Sequence, residues 1–124
     1  MRVLLVDDSS TMRKIQKRTL SELDIDEIVE AENGKEALKK LAQYSYQFDF
    51  MMCDINMPEM SGMETLKAVR SNPQSAKIPV IMCTSVAEKS QVIEAIKAGA
   101  SNYVVKPFKP EDLKAKVNAV LNKV

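Results

Sequence analysis

Short apolar runs alternate with longer amphipathic segments along the 124-residue chain. The first apolar run, residues 2–6, stops at the acidic pair Asp7-Asp8, and a segment with helical spacing follows it. A short run that is apolar at every position is typical of a strand covered on both faces, as in a parallel sheet. Because parallel strands need long crossover connections, the alternation predicts an α/β protein with helices on both faces of one sheet.

Five strand–helix units account for the chain. The strands are predicted at residues 2–6, 28–29, 48–53, 80–84 and 103–105. The helices are predicted over 11–23 and around the apolar positions of 37–42, 63–69, 92–96 and 113–121. Glycine and proline mark several boundaries, with Gly99 placed for a helix end at positive φ and Pro110 for a first helical turn. A chain of 13.9 kDa forms one domain, which we assign to residues 1–124.

Composition excludes several classes of function. The chain has no His, which excludes histidine acid–base catalysis, Ser-His-Asp triads and His-ligated zinc. It has no run of about 18 apolar residues, so we expect no membrane span. The first residues reach Asp7 at once and do not form a signal peptide, so we expect a cytoplasmic protein. In that setting the two cysteines, Cys53 and Cys83, are predicted to be buried free thiols rather than a redox disulfide.

The charge is distributed unevenly along the chain. Residues 1–62 hold 8 Lys/Arg against 12 Asp/Glu, whereas residues 63–124 hold 10 against 5. This pattern is typical of an acidic site together with a basic partner surface, and an unevenly charged solvated surface is the alternative interpretation. A nucleic-acid target is not expected, because no aromatic stacking platform or recognition motif accompanies the basic residues.

Polar side chains stand at the ends of four predicted strands. Asp7-Asp8 end the first, Asp54 the third, Thr84 the fourth and Lys106 the fifth. In open α/β sheets, ligands bind beyond the carboxyl ends of the strands. Three converging carboxylates need a cation, and oxygen ligands favour Mg²⁺, Mn²⁺ or Ca²⁺. Carboxylate, metal, hydroxyl and ammonium groups around one point suit a phosphoryl group, with an aspartyl phosphate as product.

The sequence resembles the receiver domains of two-component response regulators, from Val3 to about Leu121, and within that family the single-domain chemotaxis regulators. The residues that carry the resemblance are Val6-Asp7-Asp8-Ser9, Cys53-Asp54-Ile55-Asn56-Met57-Pro58, Ser61-Gly62, Cys83-Thr84-Ser85, Ala98-Gly99-Ala100 and Tyr103-Val104-Val105-Lys106-Pro107-Phe108. The resemblance implies a flavodoxin-like, doubly wound (βα)5 fold with strand order 2-1-3-4-5. It also implies a signalling switch that catalyses only its own phosphorylation and dephosphorylation.

The resemblance further implies roles for the acidic residues. Asp54 would accept the phosphoryl group from a phosphohistidine of a histidine kinase. Asp8, Asp54 and the backbone carbonyl of Asn56 would bind Mg²⁺, and Asp7 would act on the metal mainly through water. No organic cofactor is implied.

The other site residues would form a switch. Thr84 would hydrogen-bond the phosphoryl group, Lys106 would pair with it, and Tyr103 would rotate inward when Thr84 moves. The Lys106-Pro107 peptide bond is expected to be cis. Ser85 and Val86 differ from the commonest chemotaxis pattern, which leaves the lifetime of the phosphorylated state open.

The expected output surface lies on the fourth helix, fifth strand and fifth helix. Its lysines are Lys89, Lys97, Lys109, Lys114 and Lys116. The resemblance implies a monomer that binds an output protein there, such as a flagellar motor switch component, and that a phosphatase also acts on. A stand-alone receiver in a phosphorelay or in kinase regulation is the alternative within the family.

Three alternative interpretations fit the sequence less well. A phosphohydrolase of the haloacid dehalogenase kind needs a second Asp two residues after its nucleophile, where this chain has Asn56. A flavin-binding electron carrier needs a hydroxyl- and Gly-rich first loop, whereas this one is acidic. A degenerate receiver would lack acidic or Lys/Thr positions, and all are present.

Overall fold

The computed structural model describes residues 1–23, 25–85, 90–106 and 108–121. Five strands and five helices alternate, as predicted. The strands are β1 (Arg2–Val6), β2 (Glu27–Ala31), β3 (Phe50–Asp54), β4 (Val80–Ser85) and β5 (Asn102–Lys106). The helices are α1 (Ser10–Ser21), α2 (Gly34–Gln43), α3 (Gly62–Ser71), α4 (Val92–Lys97) and α5 (Pro110–Leu121). Val86, Lys89 and the Lys106-Pro107 bond, all named above, lie outside the described residues.

The five strands form one parallel sheet in the order β2-β1-β3-β4-β5. This order confirms the flavodoxin-like fold that the family resemblance implied. The order reverses between β1 and β3, which places β1 and β3 beside each other at the centre of the sheet. A reversal of this kind opens a crevice at the carboxyl ends of the two strands, where ligands of doubly wound folds bind.

Each face of the sheet has its own apolar core. One core joins Leu4, Met51 and Met82 to residues of α2 and α3, such as Leu41 and Leu66. The other core is formed by the alternate strand positions together with α1 and α5. Its strand residues are Val3, Leu5, Phe50, Met52, Ile81, Cys83 and Val104. The central strands are therefore apolar at successive positions because both of their faces are covered.

Side-chain caps set the helix starts. Ser9 caps α1 by accepting a hydrogen bond from the Met12 N–H, at 3.2 Å. Asn33 caps α2 in the same way, and Ser61 and Glu64 form a reciprocal capping box on α3. Gly99 follows α4 with a φ of 110°, as its position predicted. These caps fix the loops that carry the strand-end residues.

Three isoleucines in the predicted apolar stripes are exposed instead. Ile15 on α1 is 51% exposed, and Ile93 and Ile96 on α4 are 65% and 47% exposed. Helix α4 has six residues and buries only Ala95, so it presents most of its surface outward. In α1 the buried residues are Thr19 and Leu20, which the helical spacing predicted, and Gln16, which it did not.

Arg70 fixes the opposite end of the sheet from the strand-end acids. Its guanidinium donates to the carbonyl oxygens of Gly99 (2.8 Å) and Ile78 (2.6 Å), among others. Burial lowers the pKa of Arg70. The contacts join α3 to the loops that enter β4 and β5, the strands that end in Thr84-Ser85 and Lys106.

Among the described helices, none combines the length and apolar character that a membrane crossing requires.

Candidate functional site

Three acidic residues meet at the carboxyl ends of the central strands. Asp7 and Asp8 follow β1, and Asp54 is the last residue of its neighbour β3. One carboxylate oxygen of each residue lies within 4.8 Å of the others. Asp7 and Asp54 are buried, whereas Asp8 is exposed. The structure therefore brings together the trio that the strand-end argument selected.

Lys106 brings a positive charge to this cluster. It ends β5, two strands away from β3, and its side chain reaches back past β4. The ammonium Nζ lies 2.9 Å from Asp54 Oδ1 and 3.5 Å from Asp7 Oδ2. Burial alone would lower the pKa of Lys106, but the hydrogen bond to Asp54 and attraction to Asp54 and Asp7 raise it. Lys106 thus contacts two carboxylates of the cluster directly.

Asp7 is held at every polar group. Its N–H donates to the Ala31 carbonyl at 3.1 Å, and its Oδ1 accepts from the Ser9 N–H at 2.9 Å. Its Oδ2 faces Lys106, and its carbonyl accepts from Arg13 Nη1 at 2.6 Å. Arg13 belongs to the stretch Ser9-Ser10-Thr11-Met12-Arg13, which resembles the chemotaxis regulators, but no sequence signal indicates its contact with the Asp7 carbonyl.

The acidic cluster fits a hard divalent cation. Three carboxylates against one ammonium leave a surplus of negative charge in a partly buried place. Such a set is stabilised by a cation with oxygen ligands, and Mg²⁺ suits a site with few carboxylates and open positions for water or phosphate. Asp7, Asp8 and Asp54 supply the candidate side-chain ligands.

We expect millimolar Mg²⁺ to raise the melting temperature by about 5 °C. Ligand at ten times its dissociation constant stabilises the folded state by about 1.4 kcal/mol, which corresponds to a shift of a few degrees in a domain of this size. Thermal unfolding followed by circular dichroism tests this, with NaCl of equal ionic strength as control. An equal shift with NaCl would contradict a specific cation site.

Thr84 and Tyr103 lie on the same face of adjacent strands. Met82 pairs with Tyr103 and Thr84 with Val105, so Thr84 stands two positions beyond the partner of Tyr103. Thr84 is fully buried and donates to the Ser85 carbonyl at 3.1 Å, while Tyr103 is partly exposed. The two residues predicted to form a switch are therefore neighbours across the strand pair.

The loop from β3 to α3 packs closely on the end of β3. A Cβ on Gly62 would lie 2.1 Å from the Asp54 carbonyl oxygen, so a side chain there would collide with the backbone. The Gly62 N–H donates to the Ile55 carbonyl at 2.8 Å. Asn56 is exposed in this loop, and Glu59 adopts a φ of 65°. In the sequence, Gly62 stands out only as part of the Ser61-Gly62 motif, which does not reveal the close approach.

The two cysteines are free, as predicted. Their strands are neighbours, but Cys53 pairs with Met82 and Asp54 with Cys83, so the thiols point to opposite faces of the sheet. Burial raises the pKa of both thiols. Both cysteines therefore act as small buried apolar residues.

The fold, with its acidic cluster at the strand ends, is that of receiver-type signalling domains. The model of the "Response regulator receiver domain" family matches residues 3–118. The chain belongs to this family.

Several proteins with similar sequences are chemotaxis proteins. The chain is 49% identical over 121 residues to "Chemotaxis protein CheY1" of Helicobacter pylori, covering 98% of this chain and 97% of that protein. It is 44% identical over 124 residues to "Chemotaxis protein CheY" of Pseudomonas aeruginosa, covering 100% and 98%. The solved structure of the "Chemotaxis response regulator CheY4" of Vibrio cholerae matches with a TM-score of 0.85 at 39% identity, covering 97% and 98%. These matches confirm the predicted receiver family and its chemotaxis branch.

Proposed function

We propose that residues 1–124 form one receiver module that acts as a phosphorylation-activated switch in chemotaxis, with Asp54 as phosphoacceptor. The observation that carries this proposal is the burial of Asp54 at the end of the central strand, 2.9 Å from the Lys106 ammonium and next to two further carboxylates. We propose a monomer that works in the cytoplasm. A role in a phosphorelay or in kinase regulation would use the same site.

Asp54 acts as the nucleophile toward a phosphohistidine of a histidine kinase. An oxygen–phosphorus bond forms at the Asp54 carboxylate, and the nitrogen–phosphorus bond of the donor breaks. Lys106 already lies beside the attacking carboxylate and balances the charge of the phosphoryl oxygens. Thr84 donates its hydroxyl hydrogen to a phosphoryl oxygen after leaving the Ser85 carbonyl.

Asp7, Asp8, Asp54 and the backbone carbonyl of Asn56 would hold Mg²⁺ in this proposal. When bound, the ion would supply positive charge that stabilises the phosphoryl oxygens. Asp7 and Asp54 are fixed by buried contacts, whereas Asp8 is exposed and reachable from solvent. Ser85 stands at the rim beside Thr84, where it influences how fast water and a phosphatase reach the acyl phosphate.

The output surface is formed by α4, β5 and α5. Ile93 and Ile96 are exposed on α4, and a cavity of about 280 Å³ lies between β5 and α5 beside Tyr103 and Phe108. The Lys116 Nζ lies 4.8 Å from the Tyr103 ring centroid. Apolar side chains bordered by lysines suit a short helix that is acidic and partly apolar, such as a segment of a flagellar motor switch protein.

Tyr103→Ala is expected to reduce the phosphorylation-dependent gain in partner affinity about tenfold, because a large aromatic anchor is lost. Tyr103→Phe is the matched control and should keep most of the gain. Binding of the output protein, measured by surface plasmon resonance, should also associate more slowly at high salt with little change in dissociation. If partner binding instead changed the NMR shifts of residues 10–45, the output protein would bind elsewhere and this surface would be wrong.

Phosphate uptake from acetyl phosphate tests the proposed function. We expect about one phosphoryl group per chain, incorporated only with Mg²⁺ and released by hydroxylamine, as an acyl phosphate must be. Protein-bound phosphate that resists hydroxylamine would contradict the proposal, as would phosphate uptake that does not change when a chelator removes Mg²⁺.

A further inference from the structure

Arg13 is a partly buried cation that contacts the main chain of Asp7 and has no part in the steps proposed above. Its side chain is 15% exposed and makes two contacts. Nη1 donates to the Asp7 carbonyl at 2.6 Å, and Nε donates to Glu30 Oε1 at 2.9 Å. It therefore joins α1, the end of β1 and β2 in one place.

The Asp7 carbonyl belongs to the peptide unit that leads to Asp8. The N–H and the side chain of Asp7 are already held by Ala31, Ser9 and Lys106. The hydrogen bond from Arg13 holds the Asp7 carbonyl as well. It therefore fixes the plane of the Asp7–Asp8 peptide and with it the direction in which the Asp8 side chain projects. Asp8 is the exposed member of the acidic trio.

Charge alone would make Arg13 harmful to a cation site. A guanidinium at the Asp7 backbone repels an incoming divalent cation. Glu30 offsets that charge, because it accepts from Arg13 and also from Lys17 at 3.1 Å. Burial would raise the pKa of Glu30, but these two cations lower it, so the carboxylate stays ionised.

We propose that Arg13 is a positioning residue for the metal site, which orients the Asp7–Asp8 peptide so that Asp8 points at the cation, with Glu30 as its anchor. This inference rests on the proposed function, since it concerns the same Mg²⁺ site. Partners of this kind, one step removed from the ligands, typically change metal affinity 10–100-fold when mutated. If Arg13 positions the Asp7–Asp8 peptide, its removal should weaken Mg²⁺ binding. If Arg13 acts only through its positive charge, its removal should strengthen Mg²⁺ binding.

The test is isothermal titration of the full chain with Mg²⁺. Arg13→Met, which removes the charge and both donors, should weaken binding about tenfold. Lys17→Met is the matched control, because Lys17 lies on the same helix as Arg13 and also pairs with Glu30. The Mg²⁺ affinity of this variant should equal or slightly exceed that of wild type. Glu30→Gln should weaken binding by less than Arg13→Met, and it serves as the second variant should Arg13→Met not fold.

A second readout separates positioning from general damage. In phosphorylation by acetyl phosphate, Arg13→Met should need about ten times more Mg²⁺ for half-maximal rate, with a rate at saturating Mg²⁺ close to wild type. Binding by Arg13→Met that equals or exceeds wild type would overturn the inference. Wild-type protein that binds no Mg²⁺ would instead overturn the proposed function.

Discussion

Asp54→Asn is expected to abolish phosphorylation while the protein stays folded. The amide has nearly the shape of the carboxylate but is not a nucleophile toward phosphorus, so incorporation from acetyl phosphate should fall below about 1% of wild type. Without Mg²⁺, the free energy of unfolding should rise by about 1 kcal/mol, because one of three mutually repelling carboxylates is gone. Lys106 retains Asp7 as a partner in this variant.

Asp49→Asn is the matched control for this substitution. Asp49 immediately precedes β3, at the opposite end of the strand from Asp54, and accepts from the Arg2 N–H at 2.8 Å. An amide oxygen can accept the same bond, so phosphorylation and stability should match wild type. Stoichiometric acid-labile phosphate on Asp54→Asn would exclude Asp54 as the phosphoacceptor.

Lys106→Met is expected to separate phosphorylation from the conformational response. Lys106 contacts the Asp54 carboxylate in this structure, whereas the phosphoryl group that takes over its negative charge carries about −1.5 to −2 charges. That difference in attraction, felt at the end of β5, can shift an equilibrium between two arrangements of this strand. In the variant, Asp54 should still be phosphorylated, but NMR shifts at Tyr103 on phosphorylation should be lost.

Lys109→Met is the control for Lys106→Met. Lys109 is exposed three residues further along, so its loss changes the net charge equally without touching the acidic cluster. Its Tyr103 response should be that of wild type. A normal Tyr103 response in phosphorylated Lys106→Met would remove Lys106 from the switch.

The sequence was sufficient to predict the fold class and the position of the site. Both followed from apolar strands, four of which end in a polar residue, because parallel strands bring their carboxyl ends to one edge. Asp7, Asp8 and Asp54 could be chosen on that ground, and their convergence is confirmed. Lys106 could be predicted as a site residue on the same ground. Its contact with Asp54 could not, because it depends on a side chain long enough to extend across β4.

Other features depend on register and helix rotation, which no local pattern specifies. The opposite orientation of Cys53 and Cys83 follows from the one-residue offset between β3 and β4. The exposure of Ile93 follows from how α4 rests on the sheet, which its apolar spacing does not reveal. Arg13 and Glu30 meet only once α1 and β2 are packed together.

Chemical trapping of the phosphorylated residue tests the central claim most directly. Borohydride reduces an aspartyl phosphate to homoserine, which peptide mass spectrometry locates in the sequence. After brief treatment with acetyl phosphate and Mg²⁺, we expect homoserine at position 54 alone, with unmodified Asp7 and Asp8. Homoserine at position 7 or 8, or phosphate found on a hydroxyl side chain such as Thr84, would contradict it.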